Sequence, residues 1–466
     1  MSTQLPDHAS LENLRKQAKT LLKEQREKNP GKKLTLSDAQ FSIARKYGFS
    51  NWPELKRYME AVARHSWMPT EESESTADRF VRLACLNYLN DHTTRRDEAR
   101  KLLASEPSLA VENLYTAATV GDVEAVKQIL KQKPALAKRR GGPNNWEPLL
   151  YAAYSRLNSD VPEHSTLEVA RVLLRYGADP NAGFLWDGRY VFTALTGVFG
   201  EGEQGVQQPE HEYCYEFARL LLEAGADPND SQTLYNRMFT GGTRHLELLF
   251  EFGLGKRSDG VWFKRLGSQL VSPAEMLQQQ MGWAAKYDQR ERLRLLVAHG
   301  VDVNRPDTRL QRTPYELAVL NGHTEIAELL LENGAVPVSL NDRDAFFAAC
   351  LSGDGRRARA LLAANAKLLE QLGDDRAELL QLAAERDRRP AIRLMAELGF
   401  DLNELRRTTA LHNAAMAGHL EMARLLIELG ADPRIRDTEF NARPIGWAKY
   451  NGNTAVVEFL KQFEEE

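Results

Sequence analysis

A short phrase recurs along the chain: a leucine-rich stretch, then Gly, a small or branched residue and, in most copies, Asp, Pro and Asn. The copies are LLRYGADPN (173–181), LLEAGADPN (221–229), LVAHGVDVN (296–304), LLENGAVPV (330–338), MAELGFDLN (395–403) and LIELGADPR (426–434). With Asn365 replacing the glycine once, the punctuating residues from Gly300 to Gly430 stand 34, 31, 34 and 31 positions apart. A period near 33 means that one supersecondary unit is repeated, and that each unit buries its apolar face against its neighbours.

Each repeat carries signals for the start and the end of a helix. Glycine tolerates the left-handed backbone that follows a helix C-terminus, Asn does so to a lesser extent, and Asp-Pro cannot continue the helix. In the segment TPYE, Thr313 is predicted to cap the next helix, Pro314 suits its first turn and Glu316 completes a capping box. The segment at 321–331 then supplies a turn and a second helix with i, i+3, i+4 apolar spacing. The pattern therefore predicts stacked helix–turn–helix units.

These residues resemble the ankyrin-repeat consensus. The resemblance is most specific over 300–466, good at 146–230, and degraded at 78–142 and 231–299. It implies an all-α ankyrin-repeat solenoid of about ten helix–turn–helix units with hairpin-like finger loops. In that family, the fingers and the first helices line a concave face that binds partner proteins.

The first 65 residues differ from the rest in charge. They carry 13 Lys and Arg against 7 Asp and Glu, whereas the whole chain has a net charge of −4. Three amphipathic helices are predicted here, the second opened by a Ser37/Gln40 capping box. The signature GFSNWPELK resembles a short helical module of bacterial ankyrin proteins, which implies a bacterial source.

The chain is predicted to have three parts: a basic module (1–66), an acidic linker (67–77) and the solenoid (78–466). Within the solenoid, we predict degenerate repeats at 78–142, repeats with insertions at 143–299, and regular repeats with a C-terminal cap at 300–466. The linker predicts that the solenoid folds without the module.

Three insertions stretch the period, at 155–165, 199–212 and 253–270. Enlarged loops on one edge of a stack form either a local platform or tolerated surface excursions. We favour surface excursions, because long loops are thermodynamically inexpensive and lie on the surface.

The finger at 184–192 contains an Asp-Gly pair flanked by large residues, which is the strongest short-range signal for a hairpin. Alternation places at least one of Trp186 and Tyr190 in solvent, with Arg189 at the tip. Trp, Tyr and Arg are enriched at binding hot spots. In the alternative interpretation, the aromatic side chains pack between neighbouring fingers. The candidate partner-binding residues at the fingertips are Trp146, Trp186, Arg189, Tyr190, Arg309, Arg406, Arg407 and Phe440.

No motif predicts catalysis, a cofactor or a metal site. The GxGxxG match at 200–205 lies in an insertion and lacks the flanking strand and helix of a dinucleotide site. His323, His412 and His419 occupy repeat positions where structural hydrogen bonds are expected. The three cysteines are more than a hundred residues apart, which is typical of small buried thiols in a reducing cytoplasm.

The sequence therefore predicts a non-enzymatic, cytoplasmic, monomeric protein that binds a partner protein and does not enter a membrane. The alternative is a nucleic-acid-associated regulator, in which the basic module neutralises phosphates and Tyr47, Phe49 and Trp52 stack on bases. Core-like spacing of these aromatics and interleaved glutamates favour a solvated helix face instead. Catalysis would require the insertions at 199–212 and 253–270 to converge on a pocket.

Overall fold

The computed structural model describes residues 5–6, 9–70, 75–158, 161–256 and 260–463. The chain divides into two compact units, Met1–Gln280 and Met281–Glu466. No helix among the described residues is long and apolar enough to cross a membrane.

Helices dominate both units. Up to residue 272 the elements are α1 (Leu11–Lys28), α2 (Leu36–Lys46), α3 (Trp52–His65), β1 (Ser66–Trp67), α4 (Thr76–Ala84), α5 (Thr93–Ser105), α6 (Leu114–Val120), α7 (Val123–Gln132), α8 (Pro148–Tyr154), α9 (Thr166–Arg175), β2 (Gly183–Trp186), β3 (Tyr190–Thr193), α10 (Ala194–Phe199), α11 (Cys214–Glu223), α12 (Ser231–Asn236), α13 (Arg244–Glu251) and α14 (Val261–Leu266). From Pro273 they are α15 (Pro273–Lys286), α16 (Arg290–Ala298), α17 (Pro314–Leu320), α18 (Thr324–Glu332), α19 (Asp342–Ser352), α20 (Gly355–Ala364), α21 (Leu368–Leu372), α22 (Asp375–Glu385), α23 (Arg389–Glu397), α24 (Ala410–Ala417), α25 (Leu420–Glu428), α26 (Pro444–Tyr450) and α27 (Thr454–Lys461). Short 3-10 helices lie at Pro107–Val111, Pro134–Lys138, Gly205–Gln207 and Gly267–Gln269.

First helices of successive repeats pack side by side, and so do second helices. In the first unit α6, α8 and α10 form one row and α7, α9 and α11 the other; in the second unit α22, α24 and α26 form one row and α23, α25 and α27 the other. Apolar residues of both rows make a continuous core in the second unit, from Phe346 to Leu460. The predicted all-α repeat solenoid is confirmed.

One of two predicted capping boxes, at Thr313 and Glu316, is present in the structure, and the other, at Ser37, is not. The Thr313 N–H donates to Glu316 Oε2 at 2.8 Å, and the Glu316 N–H donates to Thr313 Oγ1 at 3.2 Å, so this capping box is confirmed. The box predicted at Ser37 is wrong. Helix α2 begins at Leu36 and is capped by Thr35 with Asp38, because Thr35 is the last residue with extended backbone.

The punctuating glycines adopt the left-handed conformation. Their φ angles lie between +76° and +102° at Gly177, Gly225, Gly300, Gly334, Gly399 and Gly430. Asn365, expected to do the same, has a φ of −141° instead. Its Oδ1 accepts the Lys367 N–H at 3.1 Å, because the chain leaves α20 extended and starts α21 directly.

A two-residue strand holds the N-terminal module against the finger hairpin. Strand β1 pairs in parallel with β2, with Trp67 opposite Trp186, and the Asp187 N–H donates to the Trp67 carbonyl at 3.1 Å. The interval predicted as a linker, 67–77, therefore starts inside the sheet. Its residues 71–74 lie outside the described residues.

Apolar packing joins the same elements. A small core comprises Ala61 of α3, Leu185 and Val191 of the hairpin, and Trp262 and Leu266 of α14. Removing the module would expose the hairpin and α14 members of this core. Independent folding of residues 78–466 stays a prediction, and the loss of this contact argues against full stability of that fragment.

Glu54 fastens α3 to the third insertion. Its Oε1 accepts the Ser268 N–H and its Oε2 accepts the Ser50 N–H, both at 2.8 Å. Burial acts to raise the pKa of this carboxyl, but the hydrogen bonds from Ser268 and Ser50 outweigh burial and lower the pKa to about 2. The ionised carboxylate is therefore the form that the folded protein stabilises.

The second insertion packs on the start of α5. The Asp91 N–H donates to Gln204 Oε1, and the Thr93 N–H donates to Gln207 Oε1, each at 3.2 Å. The third insertion forms α14, which packs on α3. The interpretation of these two insertions as surface excursions is therefore wrong, because both pack on neighbouring elements. Residues 159–160 of the first insertion and 257–259 of the third lie outside the described residues.

Gly430 provides a test of the glycine punctuation. Its φ is +102°, and a Cβ at this position would meet no heavy atom within 4 Å, so a side chain costs backbone strain and no clash. We expect Gly430→Val to lower the free energy of unfolding by about 1–3 kcal/mol, and Gly430→Asn by much less. Thermal melts measure the difference. Amide exchange should quicken locally, beyond about residue 400, because repeats couple to their neighbours. Equal melting temperatures for the two variants would contradict this role.

The Glu54 contact predicts a specific dependence on pH. Because the pKa of Glu54 falls from 4.5 to about 2 on folding, its stabilisation is complete above pH 4.5 and is lost as the pH falls to about 2. Glu54→Gln should lower the free energy of unfolding by about 1–3 kcal/mol at pH 7, since an amide group would face an N–H. That difference should shrink between pH 4.5 and pH 2 in urea titrations.

The matched control is Glu60→Gln on the same helix, where the side chain is 58% exposed. It should change stability little at any pH. A Glu54→Gln effect that is independent of pH would show that the ionised carboxylate does not hold the module.

Candidate functional site

The predicted hairpin is present in the finger at 183–193. Strands β2 and β3 are antiparallel, with Trp186 opposite Tyr190. The turn residues Asp187 and Gly188 have φ angles of +51° and +66°, which Asp-Gly adopts readily. The hairpin prediction is confirmed.

The side chains of this finger divide between packing and solvent. Trp186 is half-buried, and its indole N–H donates to the Asn87 carbonyl at 3.0 Å. Tyr190 is 53% exposed, and Arg189 is exposed with its Nε 3.9 Å from Asp187 Oδ2. Tyr190 and Arg189 therefore remain accessible, whereas Trp186 is engaged within the first unit.

Trp146 does not face solvent. It is fully buried, its ring stacks on Phe184 with centroids 4.6 Å apart, and Trp67 lies 4.8 Å away. The prediction that Trp146 contacts a partner is wrong, because the docked N-terminal module brings Trp67 over it. The alternative interpretation, in which finger aromatics pack on one another, holds for this part of the stack.

An open groove of about 1300 Å³ is lined by residues of both the N-terminal module and the hairpin. Tyr58 and Met59 of α3 form one wall, and Arg189 and Tyr190 form part of the other. Met68, at the rim, is 45% exposed. The accessible side chains of the finger therefore face a concave surface that the module helps to build.

A second surface lies on the fingers of the second unit. Exposed apolar side chains on these fingers include Leu310, which is 36% exposed, Leu405 at 40% and Phe440 at 64%. Apolar side chains repeated at protruding tips are typical of contact surfaces. Phe440 was predicted from the sequence, whereas Leu310 and Leu405 were missed.

Buried aspartates fix two of these tips. Asp307 Oδ1 accepts the backbone N–H groups of Arg309 and Leu310 at 2.7 and 2.9 Å. Asp437 Oδ1 accepts the Phe440 N–H at 2.6 Å. Burial acts to raise the pKa of Asp437, but this bond and others from the finger hold it well below the usual range. Backbone hydrogen bonds to a buried Asp therefore order both tips, and the Asp437 carboxylate stays ionised.

The sequence does contain a signal for the missed Leu310 tip, which it shares with the predicted Phe440 tip. Residues 307–310 read Asp-Thr-Arg-Leu and residues 437–440 read Asp-Thr-Glu-Phe, and each precedes the first helix of its repeat, α17 or α26, by a few residues. A buried Asp followed two and three residues later by backbone donors is an Asx-type turn, so the shared Asp-Thr-x-apolar pattern marks the exposed tip.

Ion pairs engage the predicted fingertip arginines, with one exception. Arg406 Nη1 lies 3.0 Å from Glu378 Oε2, and Arg407 pairs with Glu439. Arg309 forms no ion pair within the part of the chain that the structure describes. Further pairs link successive repeats: Arg312 with Asp344, Arg343 with Asp375, and Arg376 with Glu404. Arg406 and Arg407 thus form ion pairs between neighbouring repeats. Each exposed ion pair of this kind adds little to the free energy of unfolding.

The repeat histidines make structural hydrogen bonds, as predicted. Their Nε2 atoms lie 2.9–3.1 Å from backbone carbonyls: His323 from Lys286, His412 from Ala442 and His419 from Glu385. Across the described ranges, no group of three His, Cys, Asp or Glu side chains is placed to hold a metal ion.

Residues 270–344 and 345–437 match the family model described as ankyrin repeats (3 copies). The ankyrin repeat and KH domain-containing protein mask-1 of Caenorhabditis elegans is 31% identical over 168 residues, which are 36% of this chain and 6% of that protein. Ankyrin repeat domain-containing protein 63 of Homo sapiens is 39% identical over 71 residues, 15% of this chain and 18% of that protein. The chain thus spans a small part of these relatives. The matched segment consists of ankyrin repeats, as the resemblance predicted.

The division of the finger between packing and solvent predicts two different mutational effects. Trp186→Ala should lower the free energy of unfolding by about 2–3 kcal/mol, because it removes ring packing and leaves the Asn87 carbonyl without its donor. Tyr190→Ala should change it by less than about 0.5 kcal/mol. Urea unfolding measures both values, and equal losses would show that Tyr190 is also part of the packed finger.

Proposed function

We propose that this chain is a non-enzymatic protein that binds a partner protein through the fingertips of residues 300–463. The proposal rests on the exposed apolar side chains Leu310, Leu405 and Phe440, each on the finger of a different repeat. The ankyrin repeats of the matched segment support it, since stacked repeats present extended surfaces to partners.

The tips are ordered in a way that favours binding. Phe440 is held by the Asp437 hydrogen bond, and its ring meets Trp447 with centroids 6.0 Å apart. A side chain that is fixed before association loses little conformational entropy on binding. Burying the exposed part of three such side chains contributes on the order of 1 kcal/mol each, which together is a hundredfold or more in affinity.

The charge of Arg309 adds a preference for acidic partners to the surface formed by Leu310, Leu405 and Phe440. Arg309 is exposed at the tip that carries Leu310, whereas Arg406 and Arg407 already have carboxylate partners. A partner with an acidic group beside an apolar patch would therefore fit the Arg309 finger best.

Nucleic-acid binding by the N-terminal module has less support. Phe49 is fully buried, Tyr47 is 6% exposed, and Trp52 packs against the same three-helix core. The aromatics proposed to stack on bases are thus core residues.

We also propose a cytoplasmic location, because Cys85, Cys214 and Cys350 are buried and free. A bacterial source and a monomeric state stay predictions.

Site-specific photo-cross-linking tests the proposed surface. A benzophenone amino acid at position 440 should cross-link one protein species in cells of the source organism. The matched control is position 331, where Leu331 is 41% exposed on a second helix. We expect the discrete adduct from position 440 and none from position 331.

The captured protein then allows a quantitative test. Replacing Leu310, Leu405 and Phe440 together by Ser should weaken binding at least thirtyfold without lowering the melting temperature, whereas Leu331→Ser should leave binding unchanged. Unchanged binding by the triple variant, or an adduct from position 331 alone, would contradict the proposal.

A further inference from the structure

The open groove of the first unit is larger than a typical small-molecule site. Its volume is about 1300 Å³. Sites for metabolites and cofactors enclose about 300–1000 Å³ and surround most of the ligand. Segments that are far apart in the sequence line the groove, among them α3, β1, the turn of the finger and the third insertion. Its size and open form therefore fit a segment of polypeptide that lies along it.

Aromatic rings are spread over the walls of this groove. Tyr58 of α3, Trp67 of β1 and Tyr190 of β3 line it, and Tyr190 is 53% exposed. Met68 and Val271 are 45% and 36% exposed and add apolar surface. Tyr and Trp combine a flat apolar ring with a polar end, and grooves lined by such rings bind proline-rich segments in the polyproline II conformation. The lining therefore favours a proline-rich occupant.

Polar groups at the groove distinguish an extended chain from a helix. Among the residues that the structure describes, the hydroxyls of Tyr58 and Tyr190 and the side-chain amide of Gln269 form no hydrogen bond, and all three side chains line the groove. A polyproline II chain has no internal hydrogen bonds, so its carbonyl groups can accept from these donors. A helix pairs its own carbonyl groups and would leave the donors unused.

The short sheet beside the groove does not suit an added strand. Strand β1 has two residues, and in β3 the Thr193 N–H already donates to Thr196 Oγ1 at 3.1 Å. Strand addition needs a row of unpaired backbone groups along a sheet edge. Side-chain contacts to a polyproline II segment need no such edge.

Two cations at the groove favour acidic residues in the occupant. Lys46 Nζ lies 5.2 Å from the centre of the Tyr47 ring, which lines the groove, and Lys46 forms no ion pair within the described part of the chain. Arg189 is half exposed, and its Nε lies 3.9 Å from Asp187 Oδ2. Asp187 is the one carboxylate among the described lining residues, and residues 1–65 carry 13 Lys and Arg against 7 Asp and Glu. The charge around the groove thus complements an acidic chain.

We propose that this groove binds a proline-rich segment of a partner protein, in the polyproline II conformation and flanked by acidic residues. The prolines contact Tyr58, Trp67 and Tyr190, and the acidic residues meet Lys46 and Arg189. The site uses residues of the first unit alone, so it stands or falls independently of the fingertips of residues 300–463.

Titration calorimetry of the full chain with synthetic peptides tests the proposal. The probe is a run of prolines flanked by glutamates. Two comparison peptides keep the glutamates but replace proline by alanine, which favours a helix, or by a flexible Gly-Ser repeat. We expect saturable binding of the proline peptide, at least tenfold tighter than that of either comparison peptide.

Variants of the chain locate the contact. Tyr190→Ala should weaken binding of the proline peptide at least tenfold. The matched control is Tyr176→Ala, at an exposed position that follows α9, and it should leave binding unchanged. Thermal melts show whether each variant is folded, and Met68→Ala repeats the test if Tyr190→Ala lowers the melting temperature.

Charge reversal gives a result that loss of folding would not produce. Arg189→Glu should weaken binding of the glutamate-flanked proline peptide and strengthen binding of a lysine-flanked one. Absence of saturable binding of the proline peptide, tighter binding of the alanine peptide, or equal affinities for the folded groove variant and Tyr176→Ala would overturn the proposal.

Discussion

A pair of short helices cannot bury its own apolar stripe, and the rest of this structure depends on that constraint. Each second helix stops at a residue such as Gly430, whose left-handed backbone ends the helix and sends the chain out to the next finger. The next pair then lies against the one before it, so two rows of helices share one core. Inter-repeat pairs such as Arg376 with Glu404 keep the spacing, while the apolar rows provide most of the energy. The loops between repeats protrude as fingers, because the chain from one second helix to the next first helix lies outside the core.

The first unit shows what happens when the period is interrupted. Its second and third insertions pack on neighbouring elements, and the N-terminal module docks through strand β1, a small apolar core and the Glu54 carboxylate. Trp67 and the finger residue Phe184 pack on Trp146, and the Asn87 carbonyl accepts a hydrogen bond from Trp186, so both tryptophans are packing residues. Tyr190 and Arg189 of this finger remain in solvent. Fingers of the second unit present Leu310, Leu405 and Phe440 to solvent.

Local chemistry made much of this fold predictable. The capping box at Thr313, the Asp187-Gly188 hairpin and the glycine helix ends depend on residues a few positions apart, so the sequence displays them directly. Trp146 was misjudged because its cover, Trp67, comes from a distant segment whose docking no local pattern reports. Arg406 and Arg407 stay predicted contact residues; their ion pairs were not foreseen, because Glu378 and Glu439 lie on neighbouring repeats. Leu310 was within reach, because its Asp-Thr-x-apolar pattern repeats at Phe440.

Hydrogen–deuterium exchange on the complex with the captured partner tests the central claim most directly. If the fingertips of the second unit form the contact surface, partner binding should slow amide exchange at 307–312, 403–408 and 437–442, and leave the second helices α18, α23 and α25 unchanged. These tips rest on side-chain acceptors such as Asp437, so their amides are protected only weakly in the free chain by comparison with the helices. Slowed exchange confined to the second helices, with the three fingers unaffected, would contradict the account.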